Sequence, residues 1–112
     1  MISVKAAVEI INHLGIKLDK FSIEDFITGY NIELEHGLIN KFTNVSNNDP
    51  IITAKIALAH LNEFPDYYNK DYGLPAFEKF LENKNRLAAT KQQVCFLILL
   101  KSSVRDVILV LD

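Results

Sequence analysis

Cysteine is nearly absent from the sequence: Cys95 is the only one among 112 residues. A single cysteine excludes an internal disulfide framework and a zinc site built from several cysteines. Cys95 lies in an apolar run with no base nearby in sequence, so we expect a packed thiol and not a nucleophile. The chain also lacks a glycine-rich phosphate loop, a Gly-x-Ser-x-Gly motif and a Walker motif, which are common signatures of nucleotide-binding proteins and serine hydrolases.

Basic charge is not in excess, since 12 Lys and Arg residues stand against 14 Asp and Glu residues, for a net charge of −2. We therefore expect no nucleic-acid partner. Long apolar runs are also missing, and the longest, residues 94–100, is too short to span a bilayer. Lys5, Glu9 and His13 interrupt the N-terminal segment, so no signal peptide is predicted and we expect an intracellular location.

Apolar residues are present in the proportion of an ordinary globular protein, at 49% against 23% charged residues. A chain of this length and composition is expected to form one domain with a buried core. Apolar residues recur at helical spacing, which predicts an all-α bundle of four or five short helices. The predicted helices span residues 3–14, 22–36, 50–64 and 74–83.

Capping residues mark the ends of these helices. Polar residues fill the segment 38–49, which predicts a loop between the second and third helices. The predicted caps are Ser3, Gly15, the capping-box pair Ser22 and Asp25, and Asp49 followed by Pro50.

Each predicted helix carries an apolar stripe. Gly29 lies inside the second helix, where glycine costs about 1 kcal/mol relative to alanine, so it indicates either close packing or a helix break. The stripes predicted to face the core are Val4, Val8 and Ile11; Ile23, Phe26, Ile27, Tyr30 and Leu34; Ala54, Ala57, Leu58, Leu61 and Phe64, with a second stripe of Ile52, Ile56 and Ala59; and Phe77, Phe80 and Leu81.

The C-terminal segment permits two interpretations. Residues 94–100 and 107–111 are rich in Val, Ile and Leu, and they form either an amphipathic helix, which we favour, or a hairpin. We expect residues 1–83 to form the helical domain and residues 84–112 to be an apolar extension packed on it. The run 94–111 is also a candidate surface for a protein partner or for homo-oligomerisation.

Two Glu and His pairs form the most conspicuous polar constellation. Glu33 and His36 are three residues apart on the second helix, and His60 and Glu63 are three apart on the third. Residues at this spacing share a helix face, so the four side chains can converge on one point. Two imidazoles and two carboxylates suit zinc, iron or manganese.

A second interpretation of the constellation needs no metal. His60 would pair with Glu33, and Glu63 with Lys55 or a tyrosine, as a polar contact between two helices. Glu63 continues the second apolar stripe of the third helix, and a buried carboxylate requires partners of some kind. Asp66, Tyr67 and Tyr68 follow directly and would either support the histidines or pack on the core.

The sequence resembles a family of small domains of unknown function over about residues 14–68. The family pattern reads Glu-Leu-Glu-His-Gly, then Thr-Asn-Val, then His-Leu-x-Glu-Phe-Pro-Asp-Tyr-Tyr, and the segments that carry it here are 33–37, 43–45 and 60–68. The resemblance implies a small, mainly helical protein of bacterial or viral origin with no established activity. The pattern includes Glu33, Glu35, His36, His60, Glu63, Asp66, Tyr67 and Tyr68, but it supplies no role for them.

These observations favour a small binding or structural module, in which Glu33, His36, His60 and Glu63 are the candidate metal ligands. One alternative is a metal-assisted hydrolase or oxidoreductase, in which His36 and His60 would ligate the ion, a glutamate would ligate or act as base, and Tyr67 would orient substrate. Another alternative is a protein-interaction module that uses the C-terminal apolar segment. The sequence favours a non-enzymatic role over a catalytic one.

Overall fold

The protein is all-α, as predicted. A computed structural model describes the backbone of residues 1–102 and the side chains of residues 1–88. Within this part of the chain there are four α-helices and a short 3-10 helix, and no strand. The elements are α1 (Val4–Leu14), α2 (Ile23–Glu33), the 3-10 helix (Leu34–His36), α3 (Pro50–Glu63) and α4 (Leu74–Ser102).

The predicted caps are confirmed. Ser22 and Asp25 form a reciprocal capping box, with each side chain accepting the other's backbone N–H at 3.1 Å. Gly15 ends α1 in the left-handed conformation, with φ +67°. Asp49 Oδ1 accepts the N–H groups of residues 51 and 52 at 2.9 Å and thereby fixes the start of α3.

One hydrophobic core joins the first three helices, and α3 packs against both α2 and α1. The predicted stripe of α2 is confirmed, since Phe26 and Tyr30 are buried and its other members pack against the core. The stripe predicted for α1 was partly wrong. Val4 and Val8 are exposed, and α1 instead buries Ala7, Ile10 and Ile11.

Helix α3 buries one face only. Ala54, Ala57, Leu58 and Leu61 lie in the core, as their spacing predicts, but Phe64 is exposed. The second stripe predicted for α3 is not buried: Ile52 and Ala59 are exposed and Ile56 is half-buried. The expectation that this second stripe faces the core was therefore wrong, because α1 and α2 pack on the face of α3 that carries the first stripe.

The C-terminal helix is longer than predicted. Helix α4 continues from Leu74 to Ser102, so residues 94–100 are helical and not the first strand of a hairpin. The second apolar run, 107–111, lies outside the described residues. Phe77, Phe80 and Leu81 were predicted to face inward, but all three are exposed.

The chain divides into two compact units, Met1–Ala76 and Phe77–Asp112. Helices α1 to α3 and the core described above belong to the first unit. The packing of residues 84–112 on the helical domain stays a prediction. No helix in the described part of the chain combines the length and the hydropathy that a bilayer crossing requires.

The loop between α2 and α3 is tied to the end of the 3-10 helix. The backbone N–H groups of Val45 and Ser46 donate to the carbonyl oxygen of His36, at 2.7 and 3.2 Å. Asn48 adopts φ +59°, which asparagine tolerates, and its side-chain oxygen accepts the N–H of Leu38 at 2.9 Å. The C-terminal part of the loop therefore holds the backbone at His36 and at Leu38.

Gly29 marks a point of close packing and not a break in α2. A Cβ atom at this position would lie 2.7 Å from Cδ2 of Tyr68, well inside van der Waals contact. Tyr68 is itself buried in the core. The missing side chain of Gly29 thus allows the Tyr68 ring to lie directly on the backbone of α2.

Gly29→Ala should therefore destabilise the protein, even though alanine favours helix by about 1 kcal/mol. The added methyl group must displace the Tyr68 ring, and overpacking of this kind costs roughly 1–3 kcal/mol before the propensity gain is subtracted. Urea unfolding followed by circular dichroism measures the change in the free energy of unfolding. The matched control is Thr28→Ala, an exposed change on the same helix that should be neutral or slightly stabilising. Equal stability of Gly29→Ala and Thr28→Ala would contradict the packing account.

Candidate metal site

The change from α-helix to 3-10 helix at the end of α2 brings three polar side chains together. Glu33 is the last residue of α2, and Glu35 and His36 belong to the 3-10 helix. In a 3-10 helix, residues three apart are eclipsed, so the side chains of Glu33 and His36 lie one above the other. His36 Nε2 lies 3.1 Å from Glu33 Oε2 and 3.4 Å from Glu35 Oε1.

The three residues offer ligand atoms that all lie within 4.8 Å of one another. They differ in exposure, because the Glu33 side chain is only 3% exposed whereas the His36 and Glu35 side chains are 44% and 55% exposed. Glu33 therefore forms the buried end of the group, and Glu35 and His36 form the end that is open to solvent.

The two oxygens of Glu33 have different surroundings. Oε1 accepts a hydrogen bond of 2.5 Å from the hydroxyl of Tyr68, and His60 Nε2 lies 3.8 Å from the same oxygen. Oε2 faces His36, but their 3.1 Å contact lacks hydrogen-bond geometry, so this buried oxygen has no hydrogen-bond donor. Oε1 therefore accepts a hydrogen bond, whereas Oε2 lies only at ion-pair distance from His36.

Two tyrosine rings contact His60, the histidine that lies beside Glu33 Oε1. His60 stacks on the ring of Tyr67 with centroids 4.1 Å apart and planes 7° from parallel. Tyr68 meets both of these rings edge to face, at 6.1 Å from His60 and 4.9 Å from Tyr67. The orientation of the His60 ring is therefore set by two tyrosines, as well as by its contact with Glu33.

Burial strongly raises the pKa of the Tyr68 phenol, and its hydrogen bond to the Glu33 carboxylate raises it further. At neutral pH Tyr68 is therefore protonated and serves as a hydrogen-bond donor to Glu33. Asp66 lies at the surface and does not join the group of Glu33, Glu35 and His36. Its charge instead raises the pKa of the exposed Tyr72.

The structure brings together only part of the predicted constellation. Glu33 and His36 meet as their spacing predicts, and His60 lies beside Glu33, as the polar contact between helices required. Glu63 is exposed and lies outside the group. The buried carboxylate is therefore Glu33 and not Glu63, because Glu63 extends the face of α3 that turns away from the core.

Glu35 is a candidate ligand that the metal site predicted from the sequence did not include. In a continuous α-helix, Glu35 would lie about 200° around the axis from Glu33 and could not share a site with it. The 3-10 helix changes this relationship. The loop bonds to the carbonyl of His36 accompany the tighter turn, and Gly37 agrees with a helix end after His36 but does not indicate that the last turn is a 3-10 helix.

The raised pKa of Tyr68 predicts a stability that falls at alkaline pH. Unfolded tyrosine ionises near pH 10, whereas buried Tyr68 stays neutral, so its stabilisation is complete below about pH 10 and is lost progressively above it. Urea unfolding measured up to about pH 11 should show this decline, with a smaller slope in Tyr68→Phe. Burial also raises the pKa of Tyr30, so part of the decline in stability should remain in both proteins. Identical slopes in the wild type and Tyr68→Phe would contradict the assignment.

All of these residues lie within the part of the chain that matches a known family model. The match covers residues 7–75, more than half of the chain, and the family is described as protein of unknown function (DUF5661). Neither curated proteins nor solved structures give a significant match. The chain thus belongs to the DUF5661 family, and the buried Glu33 with its tyrosine and histidine neighbours lies inside the family domain.

Proposed function

We propose that this protein is a small metal-binding module that holds one divalent transition-metal ion between Glu33 Oε2, Glu35 Oε1 and His36 Nε2. The observation that carries the proposal is the buried Oε2 of Glu33, which has no hydrogen-bond donor although it lies at the base of the group. Buried carboxylate oxygens are costly unless something satisfies them, and an ion in this place would do so.

The separations between the candidate ligands support an ion over a simple ion pair. In a tetrahedral zinc site with bonds of about 2.0–2.2 Å, neighbouring ligand atoms are about 3.4 Å apart. The distances from His36 Nε2 to Glu33 Oε2 and to Glu35 Oε1 are 3.1 and 3.4 Å, close to that value. When an imidazole and a carboxylate oxygen bind the same ion, the imidazole lone pair points at the ion and not at the oxygen. The contact between His36 Nε2 and Glu33 Oε2 is short but lacks hydrogen-bond geometry, which agrees with this arrangement.

The charge of the site and its access from solvent also favour metal binding. The two carboxylates of Glu33 and Glu35 together balance the double positive charge of the ion, so the loaded site is neutral. The half-exposed His36 and Glu35 leave a path from solvent to the buried oxygen. Three protein ligands leave one position for water, as in open zinc sites.

The donor set narrows the choice of ion to the metals named from sequence. One imidazole and two carboxylates suit zinc, iron and manganese, and affinities for divalent ions generally rise from manganese through iron toward zinc. Calcium takes six to eight oxygen ligands, which this group does not supply. We therefore expect zinc to bind more tightly than manganese.

The test is the metal content and zinc affinity of the purified protein, by plasma mass spectrometry and isothermal titration. We expect about one zinc ion per chain, released by a chelator, and a higher melting temperature in the loaded form. His36→Ala and Glu35→Gln change exposed side chains and should each weaken zinc binding by at least roughly 100-fold, since they remove ligands directly.

Two matched controls separate this site from weak surface binding. His13→Ala and Glu63→Gln make the same chemical changes at exposed residues outside the group, and both should bind zinc like the wild type. The proposal is refuted if the wild type retains no metal and its melting temperature is unchanged by added zinc, iron and manganese. Equal loss of affinity in the control variants would refute the assignment of the ligands.

A further inference from the structure

The second oxygen of Glu33 suggests how the ion is selected. We propose that Tyr68 is a positioning residue that restricts Glu33 to binding through one oxygen, and that it thereby favours Zn²⁺ over the larger Mn²⁺. This inference rests on the proposed metal site and concerns which ion that site prefers. Tyr68 is not itself a ligand in this account.

The geometry at Oε1 carries the inference. The Tyr68 hydroxyl donates to Oε1 at 2.5 Å, and His60 lies on the same oxygen at 3.8 Å. A carboxylate that binds an ion through both oxygens must turn so that both face the ion. Doing so at Glu33 would break a short buried hydrogen bond and leave the Tyr68 hydroxyl buried without an acceptor, which is unfavourable.

The packing around Tyr68 keeps its hydroxyl in this position. The ring lies on the backbone at Gly29, which is four residues before Glu33 and therefore on the same face of α2. A ring in contact with position 29 points its hydroxyl along the helix toward position 33. The edge-to-face contacts with Tyr67 and His60 restrict rotation from the other side.

One-oxygen ligation has a consequence for the choice of ion. With Glu33, Glu35 and His36 each giving one atom, a single water completes a four-coordinate site, the geometry that zinc prefers. Manganese prefers more oxygen ligands in an octahedral arrangement. A second oxygen from Glu33 would raise the coordination number and so help manganese more than zinc.

The experiment compares zinc and manganese affinities of the wild type, Tyr68→Phe and Tyr72→Phe, by competition with a chelator of known affinity. Tyr68→Phe keeps the ring on Gly29 but releases Oε1, so the manganese-to-zinc ratio of Kd values should fall by roughly tenfold or more. Tyr72→Phe makes the same chemical change at an exposed tyrosine outside the group of candidate ligands, and it should leave this ratio unchanged within about twofold.

Cobalt substitution gives a second measurement that is independent of affinity. Four-coordinate Co²⁺ absorbs visible light more strongly than Co²⁺ with more ligands, so the band should weaken in Tyr68→Phe and persist in Tyr72→Phe. Gly29→Ala retains the Tyr68 hydroxyl but displaces the ring, and its selectivity should change in the same direction as that of Tyr68→Phe. This variant keeps the test decisive if Tyr68→Phe does not fold.

The outcomes distinguish the inference from the proposed function. If the wild type and Tyr68→Phe bind zinc and manganese with the same ratio and show the same cobalt spectrum, Tyr68 does not set selectivity and only the metal site survives. If Tyr72→Phe shifts the ratio as much as Tyr68→Phe, the effect is not specific to the Tyr68 hydroxyl and the inference fails. Absence of metal binding in the wild type overturns both proposals together.

Discussion

The hydrogen bond from Tyr68 to the buried carboxylate of Glu33 is the interaction on which the site depends. A carboxylate that is 3% exposed is stable only when its oxygens have partners, and Tyr68 supplies one for Oε1 at 2.5 Å. The same bond fixes the direction of the carboxylate and leaves Oε2 facing His36. Because Oε1 accepts a hydrogen bond and Oε2 does not, Oε2 is available to bind an ion, and Glu33 becomes a candidate ligand.

Several parts of the fold serve this arrangement. Gly29 removes the side chain that would block the Tyr68 ring, and it does so one helical turn before Glu33. The 3-10 helix after α2 rotates Glu35 toward Glu33, and the loop holds the backbone of His36 through Val45 and Ser46. The core of α1, α2 and α3 lies behind these residues and keeps water from the base of the site.

The sequence predicted best those features that depend on nearby residues. The capping box at Ser22 was predictable because it arises from local hydrogen bonding. The cost of glycine inside a helix limited Gly29 to close packing or a helix break, and the structure shows close packing. The contact of Glu33 with His36 follows from their spacing alone. The place of Glu35 was not predictable in the same way, because it depends on where an α-helix tightens into a 3-10 helix.

Burial was harder to predict, because it depends on which neighbours cover a helix. Glu63 continues an apolar stripe of α3, yet Ile52, Ala59 and Glu63 itself are exposed, because α1 and α2 pack on the face that carries Ala54, Ala57 and Leu61.

The central claim is that one ion joins Glu33 to His36. Anomalous diffraction at the zinc edge from zinc-loaded crystals tests it most directly. The account predicts one peak about 2.0–2.2 Å from both Glu33 Oε2 and His36 Nε2. Crystals that show no peak there, with a hydrogen bond joining the two side chains instead, would contradict the account.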